Sequence, residues 1–149
     1  SEMCIRDRRM AHEEGDPGAI ALLEHYAARA GAIDAKRFGE VFQRRATLAR
    51  HWRGFLQDYP VVLMPVSADL PFKQDADLEG GDAVARLWEA QLPQIAFPAL
   101  GLPGIAVASG VVDTVPSGVQ LIGAPWREDV LCDAGEVLER GFGFPGLVS

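Results

Sequence analysis

The chain has 149 residues, 48% hydrophobic, 23% charged and 8% aromatic, a balance that excludes a wholly disordered, collagen-like or disulfide-stapled protein and suffices for a buried core. Basic residues number 14 and acidic ones 21, a net charge of −7, so nucleic-acid backbones and anionic lipid surfaces are not expected partners. No apolar stretch approaches the ~18 residues of a spanning helix. The two cysteines, Cys4 and Cys132, form no CxxC, so a cytoplasmic location without membrane association is expected.

Ser1 to Arg8 shows no hydrophobic period, and Met3-Cys4-Ile5-Arg6-Asp7-Arg8 resembles translated sequencing adapter. Residues 1–10 are therefore expected to be a non-native leader, and residues 11–149 the segment that carries the fold. Asp16-Pro17 reads as an N-cap with proline at the first helical position, and Ile20, Leu23, Ala27 and Ala30 recur at helical spacing up to Gly31. A second helix is predicted from Ala35 to about Asp58. Phe38, Val41, Phe42, Leu48, Trp52, Phe55, Leu56 and Tyr59 fall on one stripe, with Arg37, Arg44, Arg45 and Arg50 expected to face away.

Tyr59-Pro60 stops that helix, and Val61 to Met64, apolar without alternation, predicts a strand buried on both faces. Val66 to Gly81 contains prolines, Gly80-Gly81 and the acidic residues Asp69, Asp75, Asp77 and Glu79, which predicts a long surface loop. Asp82 is expected to cap a helix bearing Val84, Leu87, Trp88 and Leu92, and Pro93 to open further helical turns ending near Gly101. Ile105 to Val112 and Val119 to Ile122 predict two strands joined through Asp113 to Gly118. The last helix is expected from Glu128 to Arg140, stopped by Gly141, with Phe142 to Ser149 as a tail.

Little in this pattern is self-contained chemistry. His12, His25 and His51 lie on different segments with no HExxH and no neighbouring cysteine, so no metal site is expected. Ser67, Ser109 and Ser117 stand in no Gly-x-Ser-x-Gly turn, and the two lysines, Lys36 and Lys73, are not placed near them by any pattern. Asp75-Ala76-Asp77 lacks the glycine and distal glutamate of a calcium loop, and no Gly-rich phosphate cradle occurs. From the residues alone the chain is an acidic α/β protein with no active site of its own.

The order of the segments carries more. Gly101-Leu102-Pro103-Gly104-Ile105-Ala106-Val107, a variable turn, Val115-Pro116-Ser117-Gly118-Val119-Gln120-Leu121-Ile122-Gly123, and a helix from Glu128 to Glu139 resemble the C-terminal part of the amidase signature family of serine amidohydrolases. Tyr59 to Val66, ending in Met64-Pro65-Val66, is similar to that family's buried strand. Ala108, Ala99 and Val115 depart from the residues common at those places.

The resemblance implies an α/β/α fold with a mixed sheet flanked by helices. It also implies hydrolysis of carboxylic amides by a serine, a second serine on a cis peptide bond, and a lysine. None of those motifs stands in these 149 residues, so no catalytic residue, metal ligand or cofactor is assigned. Phe97 and Leu100 are the candidate substrate-binding residues, as pocket lining, together with the loop from Val66 to Gly81. The implied partner is a small-molecule amide in the full-length enzyme, with a homodimer among the arrangements allowed. A non-catalytic binding module and an amidotransferase A-type subunit are the alternatives.

Overall fold

The computed structural model describes residues 2–31 and 33–143. In chain order the elements are helices α1 (Glu2–Glu14), α2 (Pro17–Ala30) and α3 (Ala35–Asp58), strand β1 (Val61–Pro65), a single 3-10 turn (Ala76–Glu79), helices α4 (Gly81–Ala90) and α5 (Leu92–Leu100), strands β2 (Gly104–Val112) and β3 (Val115–Gly123), and helix α6 (Glu128–Phe142). The chain divides into two compact units, one formed by residues 1–35 and 72–89 and the other by residues 36–71 and 90–149. The predicted long loop contains one of the three places where the chain passes from one unit to the other.

The smaller unit is helical. Helix α1 runs through the expected leader boundary between residues 10 and 11. Asp16 caps α2 as expected, Oδ1 accepting from the N–H groups of Gly18 at 2.8 Å and Ala19 at 3.1 Å. Asp82 lies within the first turn of α4 rather than at its cap, because the helix already begins at Gly81. Tyr26 of α2 and Trp88 of α4 meet with ring centroids 4.7 Å apart. Ala83 and Val84 are buried here.

The larger unit is an antiparallel sheet in the order β1-β3-β2 with helices on both faces. Because side chains alternate along a strand, β3 sends Val119 and Leu121 to one face and Gln120 and Ile122 to the other. Val107 and Leu121 pack with Leu131 of α6 on the first face. On the second, Ile122 packs with Leu56 of α3 and with Phe97 and Leu102 at the end of α5.

Glycine at position 135 lets α6 come close to β2. A Cβ there would lie 2.8 Å from Ile105 Cδ1.

Further details differ from the expectation. Strand β1 is not buried on both faces: it pairs only with β3 among the described residues, and Leu63 is 55% exposed. The hairpin link is shorter than expected, because Asp113 and Thr114, with φ of 48° and 70°, make a two-residue turn and β3 begins at Val115.

Pro116 is tolerated in that strand for a geometric reason. Val112 and Val115 close the turn as a hydrogen-bonded pair, so the nitrogen of Pro116, opposite Val111, points away from β2. On that side β1 has already ended at the Pro65–Val119 pairing.

Helix α6 passes through Gly141 and ends at Phe142. The stop is Gly143, with φ of 73° and an N–H donating to Glu139 O at 2.9 Å. Residues 144–149 of the expected tail lie outside the described residues.

Arg45 is a further difference. It stands one turn before Ala49 and two before Trp52, on the apolar stripe, and its Nε donates to the carbonyl of Ala99 in the last turn of α5. The cation meets the negative end of that helix, where carbonyls lack intrahelical partners. The stripe itself is unevenly covered. Ala49 and Leu56 are buried, whereas Phe38, Val41, Phe42, Leu48, Phe55 and Tyr59 are exposed, two pairs of them in ring contact (Phe38 with Phe42, Phe55 with Tyr59).

Candidate functional site

The site is built where α5 ends above the sheet. Pro98 sits inside α5 and has no N–H for the carbonyl of Gln94 four residues earlier. The helix then stops on Gly101, whose φ of 72° and ψ of 33° are left-handed. Gly101 N–H donates to Pro98 O and Leu102 N–H to Phe97 O, both at 3.0 Å. These are the two bonds of a Schellman cap, and its accompanying apolar contact is made by Leu102 and Phe97, neighbours in one buried cluster. Pro103 follows and prevents the helix from resuming. The segment Gly101-Leu102-Pro103 is therefore a stop signal that also docks the end of α5 on the sheet.

Beneath that cap β2 presents only small residues. Gly104 and Ala106 lie opposite Ile122 and Gln120 and share their face. The missing side chains leave a depression of about 210 Å³, bounded by Gln94, Phe97, Leu102, Ile105, Gln120 and Val66 among its lining. None of its lining residues is a serine, cysteine, lysine, histidine or carboxylate. The depression can hold a molecule but has no group to attack one.

Gln120 is the polar element of the site. It is 8% exposed, the one buried polar residue among those described, and its Nε2 donates to Pro65 O at 3.0 Å. That bond fixes the orientation of the amide, since only the NH2 side can donate to a carbonyl. It also ties the end of β1 to the central strand.

Of the expected pocket residues, Phe97 is buried and lines the depression. Leu100 is half-buried and packs against the cluster of Leu56, Phe97, Leu102 and Ile122, outside the lining. From the expected loop, Val66 lines the depression. Gln94 and Gln120 do not stand out by pattern. Gln120 falls within the family-like stretch from Val115 to Gly123, and its local signal is a carboxamide inside an otherwise apolar run, Val119-Gln120-Leu121-Ile122.

Two of the other candidates are accounted for locally. Ser67 Oγ donates to Ala90 O at 3.1 Å and accepts from Asp69 N–H at 3.2 Å, a turn-stabilising role. Lys36 faces Glu40 at 4.0 Å on the surface of α3. Among the described residues no three His, Cys, Asp or Glu side chains are gathered as metal ligands, and no helix is long and apolar enough to cross a membrane. In the smaller unit, His25 Nε2 is buried without a partner among the described residues, and burial pushes the Tyr26 phenol up.

Comparison with known proteins adds the wider context. The sequence model of a family described as Amidase matches residues 18–132. An indoleacetamide hydrolase of Bradyrhizobium japonicum is 34% identical over 117 residues, covering 77% of this chain and 25% of that protein. The A-type subunit of a glutamyl-tRNA(Gln) amidotransferase from Fusobacterium nucleatum is 29% identical over 122 residues, covering 82% and 24%. The structure of 6-aminohexanoate cyclic dimer hydrolase complexed with substrate superposes with a TM-score of 0.61 at 20% identity, covering 87% of this chain and 30% of that one. The chain spans about a quarter of the length of the curated relatives it matches.

Proposed function

The chain belongs to the amidase family, and from that premise we propose that it is the C-terminal segment of an enzyme that hydrolyses carboxylic amides. The observation that carries this is the family match over residues 18–132 together with its share of the relatives' length. The chemistry is acyl transfer: a serine attacks the amide carbonyl, the amine or ammonia leaves, and water releases the acid. The nucleophile, the second serine and the lysine base belong to residues beyond these 149. The chain's share is to complete the sheet and to wall part of the substrate pocket through Phe97, with Leu100 holding Phe97 from behind.

The exposed stripe of α3 supports the same reading. Phe38, Val41, Phe42, Leu48, Phe55 and Tyr59 form more apolar surface on one helix than a water-facing helix keeps, and the rest of the enzyme would cover it. Residues 1–10 are a non-native leader in this view. The enzyme acts on a small-molecule amide in the cytoplasm, and two copies of it can associate.

A second reading, an amidotransferase A-type subunit, is favoured by the match to the Fusobacterium nucleatum protein.

The test begins with the DNA upstream of the Ala11 codon. An open frame encoding a lysine and a serine-rich signature, and ammonia release from a simple amide by the resulting protein, are the expected results. Release only in the presence of partner subunits would favour the second reading. A stop codon followed by a start near Met10, with no activity, would leave a binding module and remove the enzyme.

A further inference from the structure

We propose that the exposed stripe of α3 is the seat of one further helix, laid along its length, apolar toward α3 and acidic along one margin, supplied by the part of the same polypeptide that lies outside these 149 residues. The inference rests on the reading of the chain as one segment of a longer enzyme, and it names what covers this face.

The spacing sets the direction of the occupant. Phe38, Val41, Leu48, Phe55 and Tyr59 are all exposed, and they fit alternating steps of three and four residues, with Arg45 and Trp52 at the two intervening positions. Tyr59 follows the last residue of α3 and keeps the helical bond, its N–H donating to Phe55 O at 3.0 Å. Arg45 and Trp52 turn toward α5, the first to the carbonyl of Ala99 and the second to the ring of Phe97. Such a 3.5-residue period is the one at which a second helix follows the first in a slow left-handed wrap. At 1.5 Å per residue the stripe is roughly 30 Å long. Ring pairs stand at both of its ends, Phe38 with Phe42 and Phe55 with Tyr59. A helix crossing steeply over the middle would leave them in water, so the covering element runs lengthwise.

An extended segment cannot take that place. The backbone groups of α3 are bonded within the helix, and its apolar side chains offer no donor or acceptor. A strand or loop laid over them would bury N–H and C=O groups without partners. A helix brings its backbone bonds with it.

Charge decides the source. Helix α3 carries six basic residues and two acidic ones in a chain whose net charge is −7. On one side of the stripe Ala49 and Leu56 are buried. On the other, Arg44 stands three residues after Val41 and four before Leu48, and His51 stands likewise between Leu48 and Phe55. Neither makes an ion pair among the described residues. The margin of the occupant that faces Arg44 and His51 is therefore built from Asp or Glu. A second copy of α3 would bring like charge against like charge and is the wrong partner. The chain covers 25% and 24% of two curated relatives, which leaves ample polypeptide for one helix of about six turns.

The test uses the protein expressed from the longest reading frame that contains these 149 residues. The photo-cross-linker p-benzoylphenylalanine replaces Phe38 in one variant and Phe55 in another, and the joined peptides are identified by mass spectrometry. Both are expected to attach to a single stretch upstream of Ala11 in the same polypeptide, at points spaced like Phe38 and Phe55 themselves and beside Asp or Glu. In a third variant, Leu48→Cys, the thiol should react with a maleimide on the order of a hundredfold more slowly than in urea, since a packed seam is reached only by local opening. Arg44→Glu should lower Tm by about 2 °C at low salt and by less at high salt.

Cross-links to two separate stretches, to a second copy or to a partner subunit would overturn the proposal. So would labelling of Leu48→Cys at the unfolded rate, or an unchanged Tm in Arg44→Glu. Amide hydrolysis by the same protein alongside any of those results would keep the amidase reading and remove only the helix. The expected cross-links in a protein without hydrolytic activity would do the reverse.

Discussion

The two faces of the sheet are made from alternate residues of the same strands, and they are finished differently. Toward α6, Val107, Leu121 and Leu131 are each 1–2% exposed, and Gly135 removes the last side chain that could hold the layers apart. Toward α3 and α5, β2 contributes glycine and alanine, a carboxamide stands in the centre of β3, and a depression remains. The α6 face is closed by interlocking side chains and serves stability. The other trades contact for space, which is what binding requires. A two-residue period thus separates the two tasks within one strand.

Substitutions can break that contrast. The largest effect is expected from Leu131→Ala. Truncating a fully enclosed leucine on the closed face should cost about 3 kcal/mol, seen as a fall of roughly 10 °C in Tm by circular dichroism. A loss under about 1 kcal/mol would mean that face is less tightly packed than its burial indicates. Gly135→Val comes next. The added Cβ meets Ile105 Cδ1 at 2.8 Å, and the crowding, partly offset by removing a helical glycine, should destabilise by about 1 kcal/mol.

On the open face, Gln120→Met should change stability by less than about 1 kcal/mol, since the carbonyl it releases, that of the exposed Pro65, can turn to water. A much larger loss would place Gln120 among the packing residues.

The smallest effect concerns Asp129, at the surface on the first turn of α6. The hydrogen bond from Arg127, at 3.1 Å to Oδ1, holds its carboxyl below the usual carboxylate range. A lowered folded-state pKa stabilises above the unfolded value and is lost as pH falls through the folded one. The Tm of Asp129→Asn should therefore match the parent in strong acid and trail it slightly at neutral pH.

Much of this architecture is legible in the sequence. The bounds of α3, the cap of α2 and the glycine stop of α5 follow from local signals, namely a 3.6-residue period, an Asp-Pro pair and a Gly-Leu-Pro step. What escapes depends on distant partners. Arg45 looks like one more charge on a basic helix until the carbonyl of Ala99 is brought to it, 54 positions along the chain. Leu63 looks like core because the run from Val61 to Met64 is apolar throughout, and only its place at the edge of the sheet exposes it. Pro116 looks like a turn residue because the side of β3 its nitrogen faces cannot be read before the register is known. Phe97 is a candidate through the family resemblance and not through any local signal. The carboxamide beside it is hidden by a strand pattern in which glutamine counts only as an interruption.

Strand β2 finally bears on how the protein behaves in the tube. From Gly104 to Val112 it carries neither charge nor proline, and among the described residues it is paired on one side alone. Apart from the bulge between Ala108 and Gly110, such a margin has nothing to repel a second strand. At high concentration the isolated chain should therefore self-associate through this strand, and a lysine introduced at Ala108 is the simplest way to keep it in solution.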